Sequence, residues 1–158
     1  MPKYATDAIR TIALVGHGAA GKTTLTEALL HKAGAIAAPG SVEKGTTVCD
    51  FDPLEKEFKH SLASAIVNLV HRDTHIHLID TPGYPDFLGQ SLNALAAVET
   101  AAVVINAQNG IEMVTQRMMQ WARERGLCRM IVINKIDAEN VDLRGLLAIP
   151  ANYKVLFL

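Results

Sequence analysis

Gly16-His-Gly-Ala-Ala-Gly-Lys-Thr-Thr24 decides how this chain is read: a glycine, four variable residues, then Gly21-Lys22-Thr23. Gly16, Gly18 and Gly21 let the backbone turn tightly, so that successive N–H groups from His17 through Ala19, Ala20 and Gly21 face one anion. Lys22 adds a point charge, Thr23 offers a hydroxyl to Mg²⁺, and Thr24 opens an apolar-periodic helix over residues 24–30. Residues 12–15, Ile-Ala-Leu-Val, read as a buried strand just before the loop. The phosphates would then sit at a helix N-terminus, where unpaired amides and the helix dipole favour negative charge. An ordinary glycine-rich turn with a surface lysine is the bland alternative, but at about 7% glycine this spacing rarely arises by chance.

Outward from the loop, 158 residues suit one domain that buries roughly 70% of its unfolded surface. Hydrophobic residues at 49%, charged residues at 20% and a net charge of −1 suit an α/β domain and supply no electrostatic footprint for autonomous nucleic-acid binding. Cys49 and Cys128 lack CxxC or metal-type spacing and read as reduced core or surface thiols, so a cytoplasmic location is expected. No apolar run approaches the 18 or so residues of a membrane span, and no membrane partner is expected.

After the first helix, residues 33–58 are rich in Gly, Pro, Thr and charge without a sustained period, and read as a long mobile loop over about residues 33–60, of a length that is usually functional or disordered. Residues 61–70 and 74–80 form a hairpin with His71-Arg-Asp73 at its turn. His75 and His77 share a strand face; solvent exposure is favoured over metal binding, because no third ligand is evident. Residues 86–95 carry Leu88, Leu92 and Leu95 at helical spacing, and residues 101–106 are an apolar strand. Ile111, Val114, Met118 and Trp121 form one face of a helix that ends at Gly126, and residues 129–134 are a further buried strand. Apolar strands alternating with helices predict a three-layer α/β sandwich of the P-loop NTPase type, its sheet mostly parallel with one antiparallel edge hairpin.

Two more motifs follow strands. In Asp80-Thr-Pro-Gly83 the carboxylate suits Mg²⁺ held through water, and the Gly83 N–H suits a terminal phosphate at the carboxyl end of the sheet. In Asn134-Lys-Ile-Asp137 the aspartate accepts from the ring N–H and exocyclic amine of guanine, a donor pair that adenine lacks. Asn134 would brace the phosphate loop and the Lys135 stem would cover the base. The set predicts a guanine-nucleotide site for GTP and GDP with Mg²⁺.

These three motifs, with the run before Phe51 and Ala102-Val-Val-Ile-Asn-Ala-Gln-Asn-Gly-Ile111, resemble the N-terminal GTPase domain of elongation factor G, especially its divergent elongation-factor-G-like branch, over about residues 9–142. The resemblance implies a translational GTPase domain acting with the ribosome, with switch segments near residues 40–62 and 80–90. It places Lys22, Gly83 and Tyr84 in catalysis, and Thr23, Ser61 and Asp80 on the metal.

The chain departs from that pattern in four places. Ala19 stands where an aspartate is usual, and Phe58-Lys-His-Ser-Leu62 replaces Arg-Gly-Ile-Thr-Ile, with Ser61 keeping the hydroxyl. Tyr84 replaces a water-orienting histidine; a phenol of pKa about 10 stays neutral and cannot become cationic, which predicts slow hydrolysis. No Ser-Ala loop is present, and residues 143–158 are left unassigned: residues 153–158 read either as a final strand or as an unrelated ending on an incomplete C-terminal part. An uncovered sheet edge there would predict low stability or association. The competing readings are a non-hydrolysing guanine-nucleotide interaction module and, less favoured by Asn134 and Asp137, an ATPase.

Overall fold

Ala101, Val103 and Ile105 enter one apolar core while Ala102 and Val104 enter another, so this strand is buried on both faces, as in a parallel sheet covered by helices on both sides. The computed structural model describes residues 4–139, 141–142 and 154–158. Its strands are β1 (Ile9–Val15), β2 (Ala65–His71), β3 (Thr74–Asp80), β4 (Thr100–Asn106), β5 (Cys128–Asn134) and β6 (Lys154–Phe157). They form one sheet in the order β2-β3-β1-β4-β5-β6, parallel except for the antiparallel β2–β3 hairpin at one edge. The predicted fold class is the observed one.

The helices are α1 (Lys22–Lys32), α2 (Pro53–Phe58), α3 (Leu88–Ala96) and α4 (Met113–Glu124). Leu88 and Leu95 of α3 and Val114 and Met118 of α4 pack with Val15, Val103 and Ile133 on one face of the sheet. Leu25 and Leu30 of α1 cover the other face. The hairpin turn is tight: β2 ends at His71, β3 begins at Thr74, and Arg72 and Asp73 both have positive φ, 45° and 62°, the two-residue geometry that matches strand twist. Gly126, at φ 68°, closes α4 in the left-handed conformation that its position predicts.

Four expectations need correction. The segment read as an unbroken loop contains α2, which starts in a reciprocal cap: Leu54 N donates to Asp52 Oδ1 at 2.8 Å and Asp52 N donates to Glu55 Oε2 at 3.1 Å, with Pro53 at the first turn. The hairpin's first strand starts at Ala65 rather than residue 61, because Leu62 and Ala63 give their amides to Glu55 Oε1 instead of a neighbouring strand. Ile111 precedes α4 and is exposed, while Thr115 and Ala122 fill the buried face in its place. His75 and His77 do share a face, but their half-buried rings touch with centroids 4.6 Å apart, and Tyr4 covers His75. Of the C-terminal stretch, residues 154–157 form β6 alongside β5, with Leu156, Phe157 and Leu158 exposed; residues 143–153 lie outside the described residues. Cys49 is buried and Cys128 exposed, both free.

Candidate functional site

The phosphate-type loop leaves the carboxyl end of β1, at the centre of the sheet, where the chain runs on to β3 on one side and β4 on the other. Open α/β sheets place ligands in that crevice. Gly16 and Gly21 have φ of 142° and 92°, which side-chain-bearing residues rarely adopt. A Cβ at Gly16 would overlap the Val104 carbonyl, and one at Gly21 would overlap the Asn134 amide. Lys22 Nζ donates to His17 O at 2.7 Å and to Gly16 O at 3.1 Å, so the ammonium spans the loop. Burial pulls the Lys22 pKa down to about 8, against the opposing pull of Asp80. A buried cation of this kind gains most from an incoming anion.

Thr23, Ser61 and Asp80, taken from three separate stretches, meet. Thr23 Oγ1 donates to Asp80 Oδ2 at 2.6 Å and lies 3.3 Å from Ser61 Oγ. Ser61 Oγ donates to Asp50 Oδ1 at 2.9 Å, and Thr47 Oγ1 to Asp50 Oδ2 at 2.7 Å. Asp80 is 1% exposed and its Oδ1 has no hydrogen-bond partner. Burial pushes its pKa up to about 6, with the Thr23 hydroxyl and Lys22 pulling back and Asp50 pushing further. Two buried carboxylates and two hydroxyls, with one carboxylate oxygen orphaned, are hard oxygen donors suited to Mg²⁺. The residues present fit that ion. The sequence reading missed Asp50: it lies in an aperiodic Thr- and Asp-rich stretch, where an aspartate looks like any solvated turn residue.

Gly83 lies against Lys22, and a Cβ there would overlap the Lys22 ammonium and the His17 carbonyl. Tyr84 lays its ring on the loop, 3.0 Å from where a Cβ on Gly18 would stand, and its centroid is 4.5 Å from that of His60. Ala19 is exposed with φ 58°, and Ala20 is buried under the loop. His17 turns away into the protein: its Nε2 is 3.1 Å from Glu112 Oε1 without hydrogen-bond geometry, and its Nδ1 is 3.5 Å from Thr115 Oγ1. Burial lowers the His17 pKa more than Glu112 raises it, so the ring is neutral at pH 7.

Asn134, at the end of β5, donates from Nδ2 to Ala20 O at 3.0 Å and accepts from Lys135 N at 2.9 Å. One side chain thus joins the third motif to the first. Lys22, Thr23, Thr24, Ser61, Gly83 and Lys135 line one cavity of about 590 Å³, which Tyr84 and His60 also border. Asp137 is exposed on the turn after β5, outside that lining.

Two carboxylates shape the cavity from behind. Glu27 of α1, 1% exposed, accepts from Gly40 N at 2.7 Å and Val48 N at 2.5 Å. Glu55, equally buried, holds Leu62 and Ala63 beside Ser61. Neither stood out in the sequence as a site residue; for Glu55 the signal was there, as Asp52-x-x-Glu55 is the acidic form of a capping box.

Comparison with known proteins gives this geometry a lineage. The model of the elongation factor Tu GTP binding domain matches residues 7–154. An elongation factor G-like protein of Mycobacterium tuberculosis is 40% identical over 136 residues, 86% of this chain and 19% of its own length. The tetracycline resistance protein TetW of Butyrivibrio fibrisolvens is 39% identical over 137 residues, 87% of this chain and 21% of its length. A crystal structure of a Thermus thermophilus protein superimposes with a TM-score of 0.85 at 43% identity, covering 89% of this chain and 21% of that one. The chain therefore spans about a fifth of the length of these relatives. Elongation factor SelB of Methanococcus maripaludis, solved with the GTP analogue GppNHp, shares the fold with a TM-score of 0.69 at 18% identity.

Proposed function

The chain belongs to the elongation factor Tu GTP binding domain family, and on that premise we propose that it binds GTP and GDP with Mg²⁺ and hydrolyses GTP slowly as a conformational switch in translation. The observation that carries this is the Asn134 to Ala20 hydrogen bond, which docks a guanine-type motif directly on the back of a phosphate loop. Amides of residues 17–21 and the Lys22 ammonium would receive the β- and γ-phosphates, and the Gly83 N–H would sense the terminal one. Thr23 and Ser61 would hold Mg²⁺ directly, with Asp80 and Asp50 behind them. When bound, the ion neutralises charge on the transferring phosphoryl group. Lys135 and Asp137 would close on the base.

Slow turnover would follow from Tyr84, which sets a phenol on the loop beside Gly18. A single-turnover assay tests this, with Tyr84→His expected to hydrolyse labelled GTP faster than the wild type. The ribosome enters through the likeness to translation factors, as the partner of the longer proteins of this kind. The second reading, an interaction module that binds GTP without turnover, draws on the same ring. Calorimetric titration with GTP, GDP and ATP in Mg²⁺ tests the central proposal: saturable guanine-nucleotide binding with ATP at least about tenfold weaker supports it, and equal affinity for ATP and GTP rejects it.

A further inference from the structure

Among the described residues lining the cavity, His60 brings the imidazole, and it is set with care. Its ring is flanked by Tyr84 at 4.5 Å, by Phe58, stacked at 6.0 Å, and by Phe87 at 6.2 Å. Its backbone N–H donates to Glu55 O at 3.3 Å at the end of α2, and the next residue is Ser61, in contact with Thr23. His60 therefore follows a capped helix and precedes a cluster held by Asp50 and Thr23.

The hydrogen bonding also distinguishes its two nitrogens. Nδ1 lies 3.4 Å from Ser61 O, and a carbonyl oxygen only accepts, so Nδ1 carries the proton. In that tautomer Nε2 holds a bare lone pair and can accept a hydrogen bond. His60 shares the cavity with Lys22, Thr23 and Gly83, the residues that surround the phosphate end of the site.

We propose that His60 is a catalytic residue of this site, its Nε2 accepting a hydrogen bond from the water that attacks the terminal phosphoryl group of GTP. The proposal rests on the GTPase reading given above. In the step, the water oxygen forms a bond to the γ-phosphorus while the bond from that phosphorus to the bridging oxygen breaks. The bridging oxygen leaves with its electron pair on GDP, and the water's proton passes to a γ-phosphate oxygen. His60 orients the water and is unchanged at the end. Tyr84, its ring tilted by 46° to the imidazole, walls it on one side.

Two measurements on the full chain test this. The first is the imidazole NMR signal of His60, assigned by its loss in His60→Gln, during titration with GppNHp and with GDP in Mg²⁺. Nε2 meets the terminal phosphate end, so GppNHp shifts the signal and GDP shifts it much less. The second is single-turnover hydrolysis. His60→Ala is expected to lose about 10²-fold in rate while GTP affinity stays within about threefold, and free imidazole is expected to restore part of the loss. A His60 signal that moves equally with GDP and GppNHp overturns the assignment. So does a turnover equal in wild type and His60→Ala, whether measurable or nil, and so does a His60→Ala defect that lies wholly in GTP affinity. In each of those cases GTP binding by the wild type leaves the guanine-nucleotide reading standing. A wild-type chain that binds neither nucleotide overturns both.

Discussion

Thr23 Oγ1 donates to Asp80 Oδ2 at 2.6 Å, joining the first turn of α1 to the end of β3, while Asp80 Oδ1 stays buried and unpaired. The carboxylate is held where its charge is costly, and its raised pKa of about 6 registers that cost. Asp80→Asn keeps an acceptor for Thr23 and removes the charge. Without metal or nucleotide the variant should be more stable than the wild type at pH 7.5, by about 1–3 kcal/mol in urea unfolding. In Mg²⁺ the order of function reverses. EDTA should weaken GDP binding to the wild type by about tenfold or more and to Asp80→Asn by under about threefold. A variant that is destabilised without ligand, or as Mg²⁺-dependent as the wild type, would sink this account.

Asn134 reaches across from β5 to Ala20, and a side chain on Gly21 would collide with the same amide, so loop and brace fit only together. Asn134→Ala removes the donor and leaves the Ala20 carbonyl with one partner fewer. The expected result is a loss of about 1 kcal/mol in stability and a weakening of GDP binding by about tenfold, because the phosphate loop loses its fixed shape. Fluorescence titration with a labelled GDP measures the second effect; affinity unchanged in the variant would show that the loop holds itself.

The sheet and its ligand end were legible because they depend on local sequence. Residues 101–106 and 129–134 are apolar on both faces, and each of the three motifs marks the end of a strand. The segment between α1 and β2 was not legible in the same way. Its order rests on Glu27 and Glu55, single buried carboxylates whose partners are backbone amides, and no pattern of side chains announces a backbone acceptor. Asp50 was hidden for a related reason, since only the folded chain brings it to Ser61. The turn of α2 should have been found, because Asp52, Pro53 and Glu55 together spell a helix start.

Glu27 ties Gly40 and Val48 to α1, fixing both ends of a stretch that borders the cavity. Glu27→Ala leaves both amides without their acceptor. The change should cost about 2–3 kcal/mol in global stability. Its distinctive signature is local: in hydrogen exchange, the amides of Gly40 and Val48 should lose protection far more than those of β4. Uniform loss across the sheet would instead mean that Glu27 serves the core and has no special hold on the loop.

Glu99, just before β4, accepts from Thr11 N at 2.7 Å and from the Thr11 hydroxyl. These bonds favour the charged form and lower its pKa, against a smaller opposing effect of burial. A depressed carboxylate contributes stability that is present above the unfolded pKa of about 4.3 and is lost as pH falls through the folded value. Glu99→Gln should therefore be less stable than the wild type at pH 7, and the difference should shrink as the pH drops below about 4. Urea unfolding at several pH values reads this directly; a difference that persists unchanged into acid would assign it to packing.

Asp137 is exposed on the turn after β5, so replacing it should leave the fold nearly untouched, within about 0.5 kcal/mol. Any large effect on binding then reports on the base. A carboxylate that takes both the ring N–H and the exocyclic amine of guanine gives nothing comparable to adenine, which lacks that donor pair. Asp137→Ala should weaken GTP binding by about 10²-fold or more, since a base built to donate twice loses its acceptor. ATP binding should stay as weak as before, because the phosphate loop that all nucleoside triphosphates share is intact. The two titrations together decide the point: a parallel fall for GTP and ATP would trace the loss to the phosphate end, and an unchanged GTP affinity would remove Asp137 from the site.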